Sequence, residues 1–366
     1  MIEVAQAPPD VSVVAPGRDV ADARLHRLVG AMRDLGLGVD VIALGSAADA
    51  PAGVMSVRTR PRSGRFGRGV NALLAPWQSR GRSLLVLDPD AIPMSWLRCR
   101  LTGRKLLVDL SEDYGTLLAD REWAQGLAGT FAQRLVSTAE GIAAHADLTV
   151  VADEHVPPAR ARHRMVVRNL PVGDYLPTPT RPDPAPRAIY IGDLRRSRGL
   201  FDMVDAVAAA PGWLLDLVGP VAAADEGELA ARVADPALAG RVRLHGRRPP
   251  VAAWALARGA WVGLSLLHDT PAFRAAMPSK VYEYLGAGLA VVVSPLPRQA
   301  ELVTSVSAGV VAGDVATAAA ALRAYSGAPD LLTAHRSAAL VAAERFDGVR
   351  AHREFAASVA DLLRAR

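Results

Sequence analysis

Short apolar runs alternate with helix-like stretches along the whole chain, and this alternation constrains the fold more than any other feature of the sequence. Strands that alternate with helices in this way are typical of a parallel α/β sheet. In the first half we predict strands at Val11–Ala15, Val39–Leu44, Val54–Val57, Leu84–Leu87, Leu106–Leu110, Leu148–Ala152 and Met165–Arg168. After residue 187 the pattern restarts, with strands at Ala188–Ile191, Leu214–Val218, Val242–His245, Trp261–Leu266, Ala290–Val293 and Gly309–Val311.

A proline-rich segment separates the two halves: residues 171–187 hold six prolines and show no periodicity, which is typical of a linker. We therefore predict an α/β domain over 1–170, a linker over 171–187 and a second α/β domain over 188–346. The remaining residues, 347–366, are predicted to form an amphipathic helix that packs back on the N-terminal domain. Two doubly wound domains would leave an interdomain cleft, and ligands of such sheets bind beyond the carboxyl ends of the strands, so we expect the functional site there.

Composition excludes several classes of protein. The 366 residues are 51% apolar and 22% charged, as in an ordinary globular protein of two domains. No apolar run approaches the ~18 residues that span a bilayer, and residues 1–4 lack a basic n-region, so we expect a cytoplasmic protein. A single cysteine, Cys99, excludes a disulfide framework and a thiolate cluster, and the histidines show no metal-ligand spacing. We therefore expect neither a metal nor a cofactor.

The net charge of +5 comes almost entirely from arginine, since Lys105 and Lys280 are the only lysines. This bias resembles that of a GC-rich genome. No acid occurs between Asp49 and Asp88, where the arginines are Arg58, Arg60, Arg62, Arg65, Arg68, Arg80 and Arg82. We interpret Gly64, Gly67 and Gly69 as a solvated loop ahead of an amphipathic helix over Val70–Trp77. The alternative is contact of the segment Arg58–Arg82 with an anionic acceptor or the inner face of a membrane, whereas nucleic acid is not expected.

One candidate binding motif opens the second domain, where a strand runs into Gly192-Asp193-Leu194-Arg195-Arg196-Ser197-Arg198-Gly199. Arginines that follow a glycine turn and precede a helix can donate bidentate hydrogen bonds to phosphate oxygens beside the helix N-terminus. The segment is neither a dinucleotide fingerprint nor a P-loop. It therefore predicts an anion site of some other kind.

The second motif is Met277-Pro278-Ser279-Lys280-Val281-Tyr282-Glu283-Tyr284-Leu285-Gly286. We predict a helix with Ser279 as N-cap and Lys280 in its first turn. Its free backbone N–H groups and dipole would attract an anion. Glu283, one turn further on, would accept hydrogen bonds from a ribose diol. The layout suits a site for a nucleotide diphosphate, but for this motif alone an ordinary capped helix of an α/β protein is the favoured alternative.

Together, the G-x-x-x-x-x-R-G and P-S-K-x-x-E-Y-x-x-x-G patterns resemble the retaining glycosyltransferases of family 4, in the subset with a P-[ST]-K-x-x-E-Y motif. Four looser matches follow in the family's order: Asp22-Ala23-Arg24, Val108-Asp109-Leu110-Ser111-Glu112, Ala146–Val151 and Val167–Pro171. The resemblance thus covers nearly the whole chain. It implies an α/β fold of the GT-B type, with two Rossmann-like doubly wound domains and an interdomain cleft.

The resemblance also implies roles for individual residues. Arg198 and Arg195 would neutralise the donor diphosphate, Lys280 would hold the distal phosphate, and Glu283 would bind the ribose hydroxyls. Further donor contacts are expected from Gly192, Gly199, Pro278, Ser279, Tyr282, Phe273 in the loop 268–276, and His245, for which a structural role is the alternative. Acceptor contacts are expected from Asp22, Ser111, Glu112 and Asp113.

The activity implied is metal-independent transfer of a sugar, with retention, from a UDP- or GDP-linked donor to a small-molecule or glycan acceptor. Some positions depart from the family pattern. Ala275 replaces the first Glu of an E-x7-E element, Ser111 replaces a His, Pro16-Gly17 replaces a glycine pair, and Asp193 stands where relatives carry a basic residue. Two alternatives therefore stay open, a non-catalytic nucleotide-binding auxiliary protein and a nucleotide-sugar 2-epimerase.

Overall fold

The computed structural model describes residues 7–60, 65–119, 124, 126–171, 175–346 and 348–365. The N-terminal residues 1–4, Arg62, Gly64 and part of the predicted linker, 172–174, lie outside this range. Strands are β1 (Val11–Asp19), β2 (Val39–Leu44), β3 (Ser56–Arg60), β4 (Ser83–Val86), β5 (Lys105–Leu110), β6 (Leu148–Val151), β7 (Arg164–Val166), β8 (Arg187–Ile191), β9 (Leu214–Val218), β10 (Val242–Gly246), β11 (Val262–Ser265), β12 (Ala290–Val293) and β13 (Gly309–Val311).

The helices are α1 (Ala23–Asp34), α2 (Arg65–Leu74), α3 (Ile92–Thr102), α4 (Tyr114–Ala119), α5 (Gly126–Ala143), α6 (Leu200–Ala208), α7 (Glu226–Val233), α8 (Pro250–Ala255), α9 (Pro271–Arg274), α10 (Ser279–Gly286), α11 (Pro297–Val306), α12 (Val315–Gly327), α13 (Pro329–Ala343) and α14 (Val349–Arg364). Two short 3-10 turns matter below, Ala75–Gln78 and Arg196–Arg198. Every predicted strand is present, with its ends within four residues of the prediction.

The chain forms two compact units. In the first, the strand order β3-β2-β1-β4-β5-β6-β7 makes a parallel sheet, in which Val11 pairs with Val39 on one side and with Ser83 on the other. Helices cover both faces, with α1 and α14 on one and α2, α3 and α5 on the other. The strands are buried on both sides, which explains why they read as continuous apolar runs.

The second unit repeats this architecture over Leu170–Gly348, with a parallel sheet of order β10-β9-β8-β11-β12-β13. Its core clusters involve α6 and α12 on one face and α8, α10 and α13 on the other. The two parallel sheets confirm the predicted pair of doubly wound α/β domains.

The terminal helix α14 belongs to the first unit although it follows the second unit in the chain. Its side chains Phe355, Ala356 and Val359 are fully buried in the core that α1 also lines. The chain therefore enters the second unit after Asn169 and returns to the first at Val349.

Residues 177–186 form neither helix nor strand, but they are bonded to the second unit. The Thr180 hydroxyl accepts from the Gly259 N–H at 2.9 Å, and the Asp183 carbonyl accepts from the Trp261 indole at 2.7 Å. The Thr180 carbonyl accepts from Arg336 at 2.7 Å. These bonds fix the proline-rich segment on the surface of that unit.

The predicted loop at the glycines before residue 70 is wrong for the described residues. Helix α2 begins at Arg65 and includes Gly67 and Gly69, which cost helix stability on their own. Ala72, in the helix, and Ala75, just after it, are buried against the sheet. These tertiary contacts favour the helix. It ends at Leu74, earlier than predicted, and a 3-10 turn continues to Gln78.

Among the described residues, no helix is long and apolar enough to cross a membrane.

Candidate active site

The candidate site lies at the topological switch point of the second sheet, where β8 and β11 are neighbours but their connections lead to opposite edges. Ligands of doubly wound sheets bind outside the carboxyl ends of the strands at such a point. The loop after β8 carries Gly192–Gly199, and the segment after β11 leads through α9 into α10. Both predicted motifs therefore flank the switch point.

Lys280 and Gly192 bring the two motifs into contact. The Lys280 ammonium lies 4.9 Å from the centroid of the Tyr190 ring, and a Cβ added to Gly192 would lie 3.5 Å from the Lys280 Nζ. Gly192 has φ of 147°, a conformation that favours glycine. The lysine is buried, and its ammonium lies beside the loop after β8.

Tyr284 anchors α10 to the sheet beneath it. Its hydroxyl donates to the Leu264 carbonyl at 3.2 Å and accepts from the Ile191 N–H at 3.3 Å, so it bridges β8 and β11. Its ring packs on Gly263, where any Cβ would overlap it. Burial raises the pKa of Tyr284 well above its usual range, which keeps the phenol neutral. The position of Lys280 thus depends on a buried tyrosine one turn away.

Asp193 lies within a cluster of cations. Its carboxylate is 3.1 Å from the Arg195 guanidinium and 3.6 Å from that of Arg247. Burial alone would raise the pKa of Asp193, but Arg198, Arg195, Arg247 and Lys280 together hold it below its usual range. The site therefore contains four cations around one ionised carboxylate. Sequence reasoning missed Arg247, which lies in the loop after β10, because no motif marks it.

Arg198 ends the 3-10 turn Arg196–Arg198 and stacks its guanidinium over the Phe273 ring, 5.7 Å from the centroid. Gly199 follows with φ of 76°, and a Cβ there would overlap the Leu266 carbonyl. Only glycine allows the segment after β11 to approach the N-terminus of α6 this closely. This close approach places Phe273 beside Arg198, as the donor assignments of both residues require.

The N-terminus of α10 differs from the prediction in one respect. Pro278 is the N-cap, in extended conformation, and Ser279 is the first helical residue. The prediction of Ser279 as N-cap is wrong because the fixed φ of proline (−65°) already suits the turn into the helix. In the described part of the chain no side chain caps this helix. The Val281 N–H donates to the Pro278 carbonyl at 3.1 Å, and the positive end of the helix dipole beside Lys280 favours an anion.

Glu283 is buried one turn into α10, and its Oε1 accepts a 2.6 Å hydrogen bond from the Tyr175 hydroxyl. Tyr175 comes from the start of the proline-rich segment, 108 residues earlier, so no local pattern could have indicated it. Tyr282, on the other side of the helix, packs against Phe346 with ring centroids 4.6 Å apart. Its predicted donor contact is therefore less directly supported than that of Glu283.

His245 has a structural partner. Its Nε2 lies 2.8 Å from Oδ1 of the buried Asp216, whose other oxygen accepts from Arg187 at 2.7 Å. This chain of bonds joins β8, β9 and β10. The geometry favours the structural alternative for His245, although its ring stands at the carboxyl end of β10 near Arg247.

The predicted acceptor residues lie at the corresponding edge of the first sheet. Asp22 is the N-cap of α1 and accepts from the Leu25 N–H, and Asp113 accepts from the Thr116 N–H and hydroxyl at the start of α4. Ser111 accepts from Arg18 at 2.6 Å, and Glu112 is exposed. Asp22 and Asp113 therefore have structural roles in addition to the predicted ones.

Arg18 is a site residue that sequence reasoning missed. It lies near the end of β1 and donates to the Ser111 and Tyr114 hydroxyls, and it forms ion pairs with Asp22 and Asp88 at 3.7 and 3.5 Å. Burial alone would lower the pKa of Arg18, but the surrounding acidic groups raise it, whereas burial raises the pKa of Asp88. Its partners lie up to 96 residues away, so only the fold brings them together.

Among the described residues, no group of three or more histidine, cysteine, aspartate or glutamate side chains is arranged to hold a metal ion.

A known protein family matches most of the second unit. Residues 185–327 match the family model of the group 1 glycosyl transferases. The matched range contains both motifs, from Gly192 to Glu283. No match was found among curated protein sequences.

Three of the similar solved structures match nearly the whole chain. Sucrose-phosphate synthase from Thermosynechococcus elongatus has a TM-score of 0.74 at 15% identity, covering 97% of this chain and 99% of that one. Anabaena HepE in complex with UDP-glucose has a TM-score of 0.66 at 15% identity, covering 97% and 99%. WaaG, a glycosyltransferase involved in lipopolysaccharide biosynthesis, has a TM-score of 0.65 at 15% identity, covering 97% and 100%. The chain thus has the GT-B fold, and its residues 185–327 match the group 1 glycosyl transferases.

Proposed function

We propose that the chain is a cytoplasmic glycosyltransferase of the family 4 type, retaining and independent of metal. It would transfer a sugar from a nucleotide-diphosphate sugar, linked to UDP or GDP, to a hydroxyl or other nucleophile of a small-molecule or glycan acceptor. The second unit would hold the donor and the first unit the acceptor. The group 1 glycosyl transferase domain over 185–327 supports the class of reaction.

One observation carries the proposal: Lys280 lies beside Gly192, and together with Arg195 and Arg198 it surrounds Asp193 in the loop after β8. Ammonium and guanidinium groups there would bind the diphosphate of the donor. As the sugar leaves, negative charge grows on the distal phosphate, and cations placed beforehand stabilise that charge. Side chains would in this way supply the positive charge that other transferases take from a metal ion.

Glu283 would orient the nucleoside. A carboxylate held by the Tyr175 hydroxyl keeps a fixed position, from which it would accept hydrogen bonds from ribose hydroxyls. Structures of Anabaena HepE with UDP, with UDP and glucose, and with UDP-glucose support a nucleotide-sugar donor for this fold.

The reaction expected from the family resemblance breaks the bond between the anomeric carbon and the distal phosphate oxygen. The acceptor oxygen forms its bond on the same face, and its proton passes to the departing phosphate. Arg198 and Lys280 would stabilise that phosphate, and Phe273 beside Arg198 would contact the sugar. Asp22, Ser111, Glu112 and Asp113 would contact the acceptor.

Binding of a nucleoside diphosphate tests the proposal directly. Thermal unfolding would be followed with UDP, GDP, ADP, dTDP and CDP in turn, with and without EDTA. A ligand that binds the native state at 100 times its Kd adds about 2.7 kcal/mol to stability, and we expect this for one of the five with or without EDTA. No shift with any of them would contradict the donor site, and a shift abolished by EDTA would contradict metal independence.

Ala275 favours a second candidate, a non-catalytic auxiliary protein. It is exposed at the end of α9, and its carbonyl accepts from Arg298 at 3.0 Å, so no carboxylate stands where the family places one. Donor hydrolysis or sugar transfer by the isolated protein would exclude this candidate. A sugar epimerised at C2 in the absence of acceptor would instead favour an epimerase.

A further inference from the structure

A stripe of apolar side chains on α2 faces away from the core. Val70, Leu73 and Leu74 are exposed, as is Trp77 in the following 3-10 turn, and this spacing of i, i+3, i+4 and i+7 places them on one side. Leu73 is 53% exposed and Trp77 43%. The opposite side, including Ala72 and Ala75, is buried against the sheet. The apolar side of an amphipathic helix normally packs on the core, so this arrangement is inverted.

Helix α3 continues the stripe. Its Trp96, Leu97 and Leu101 are exposed, with Leu101 at 67%, while Ile92, Ser95 and Cys99 on the other side are buried. The two elements touch, because the Arg98 guanidinium of α3 stacks over the Trp77 ring at 5.5 Å. We call these exposed residues of 70–77 and 96–101 the α2–α3 surface.

The charge of the α2–α3 surface is positive. No acid occurs in residues 50–87 or 91–108, while Arg98, Arg100 and Arg104 lie in the second of these stretches. Lys105, also in this stretch, is paired with Asp147 at 3.4 Å and is not counted with them. The two acids between them do not offset this charge, because Asp88 is buried and Asp90 pairs with Arg68 at 2.7 Å. Arg100 stacks over the Trp96 ring at 5.6 Å. Exposed leucine and tryptophan therefore stand directly beside arginine.

Most of the described arginines between Asp49 and Asp88 have partners within the first unit. Arg58 bonds the Gln78 carbonyl, Arg60 the Asn71 side chain, and Arg82 the Leu363 carbonyl and Asp10. Arg62 and the side chain of Arg65 lie outside the described part of the chain. Contact through the segment Arg58–Arg82 as a simple basic patch is thus not what the geometry favours.

We propose that the α2–α3 surface docks on an anionic lipid bilayer. Tryptophan and leucine would enter the boundary between headgroups and acyl chains, while the exposed Arg100 would meet a lipid phosphate. Arg98 donates to the Ser79 hydroxyl and carbonyl and would support the surface from within. A second copy of the chain fits this surface less well. In a two-fold dimer the same surface faces itself, so the arginines of both copies would be brought together. The proposal is independent of the donor site, since the α2–α3 surface belongs to the first unit.

The test is sedimentation of the full chain with vesicles of phosphatidylcholine, with and without about 30% phosphatidylglycerol. We expect binding to the anionic vesicles that weakens as salt rises and falls at least about tenfold in Leu73→Glu and in Leu101→Glu. The matched control is Val341→Glu on α13 of the second unit, whose side chain is also widely exposed and whose binding should equal that of the wild type. A cooperative thermal unfolding transition near that of the wild type, measured without ligand, confirms that each variant is folded.

Three outcomes would overturn the proposal. One is no binding of the wild type to anionic vesicles, and another is equal binding of Leu73→Glu. The third is a wild type that is dimeric by sedimentation velocity and a Leu73→Glu variant that is monomeric, which would assign the surface to a second copy. None of them affects the nucleotide-binding test, so the two proposals fail separately.

Discussion

At the scale of single residues, the two lysines of the chain provide a matched pair. Lys280 lies over the Tyr190 ring beside Gly192, whereas Lys105 is half-exposed on the first unit and 3.4 Å from Asp147. We expect Lys280→Ala to weaken nucleoside diphosphate binding at least about tenfold, because a charge-assisted bond to phosphate is lost. Lys105→Ala should bind as the wild type does. Equal affinities of the two variants, measured by calorimetry, would contradict the site assignment.

The Asp193 carboxylate partly offsets the positive charge of the arginines and the lysine around it. Its removal in Asp193→Asn takes away the carboxylate that competes with phosphate for Arg195 and Arg247, so we expect nucleoside diphosphate to bind several-fold more tightly. Asp330→Asn, an exposed carboxylate on α13, controls for net charge. Weaker binding by Asp193→Asn would show instead that the carboxylate positions the arginines.

The ionisation of Asp193 determines how its contribution to stability changes with pH. Because the cations hold the pKa of Asp193 below its ordinary value of 3.8, the carboxylate is ionised throughout the neutral range. Its ion pairs stabilise the fold above that value, and this contribution is lost as pH falls through the lowered pKa. The difference in the free energy of unfolding between Asp193→Asn and the wild type, measured without nucleotide, should therefore be constant from pH 5 to 8 by denaturant unfolding in that window. A difference that changes within it would contradict the lowered pKa.

Residue contacts within the site could be predicted only in part. The sequence places Lys280 and Gly192 in separate strand-to-helix loops, and the rule for doubly wound sheets brings those loops to one edge. Tyr175, Arg247 and Arg18 could not be found, because their partners are distant in the chain and no local pattern marks them.

At the scale of the elements, the turn at Gly199 joins α6 to the segment after β11. Alanine there would require a positive φ and would overlap the Leu266 carbonyl, so we expect Gly199→Ala to cost at least about 3 kcal/mol and to weaken nucleotide binding. Gly240 has a similar φ of 71° with no atom near the added Cβ. Gly240→Ala should therefore cost only about 1 kcal/mol. Denaturant unfolding of both variants compares the two costs, and equal values would exclude the close approach as the cause.

Strands were easier to predict than helix ends. A strand such as Ala290–Val293 is fully buried on both faces, so its sequence is a continuous apolar run between turns. The start of α10 was assigned to Ser279 because serine is a common N-cap, but the proline before it already has the extended conformation of a cap. The helix at Gly67 and Gly69 was missed because burial of Ala72 and Ala75 outweighs local propensity. The outward stripe of α2 was also missed, since periodicity does not show which side meets solvent.

At the scale of the whole molecule, α14 completes the core of the first unit. Phe355 is fully buried there, so Phe355→Ala should destabilise that unit by about 3–5 kcal/mol. Phe131→Ala, a change at a side chain 72% exposed on α5, should cost less than about 0.5 kcal/mol. Hydrogen exchange followed by mass spectrometry should show faster exchange in β1 and α1 of Phe355→Ala. Faster exchange in β8 or β12 instead would contradict the division into two units.

The path of the chain also has a consequence during translation. The strands β1–β7 leave the ribosome before the second unit is made, but α14 follows only after Gly348. At about 5–20 residues per second, the interval from Leu170 to Gly348 lasts roughly 10–40 s. Throughout that time the nascent first unit lacks the side chains of Phe355 and Val359, and the apolar face that they later cover is open to chaperones. The second unit, in contrast, is synthesised completely before α14. It could therefore fold before α14 completes the core of the first unit.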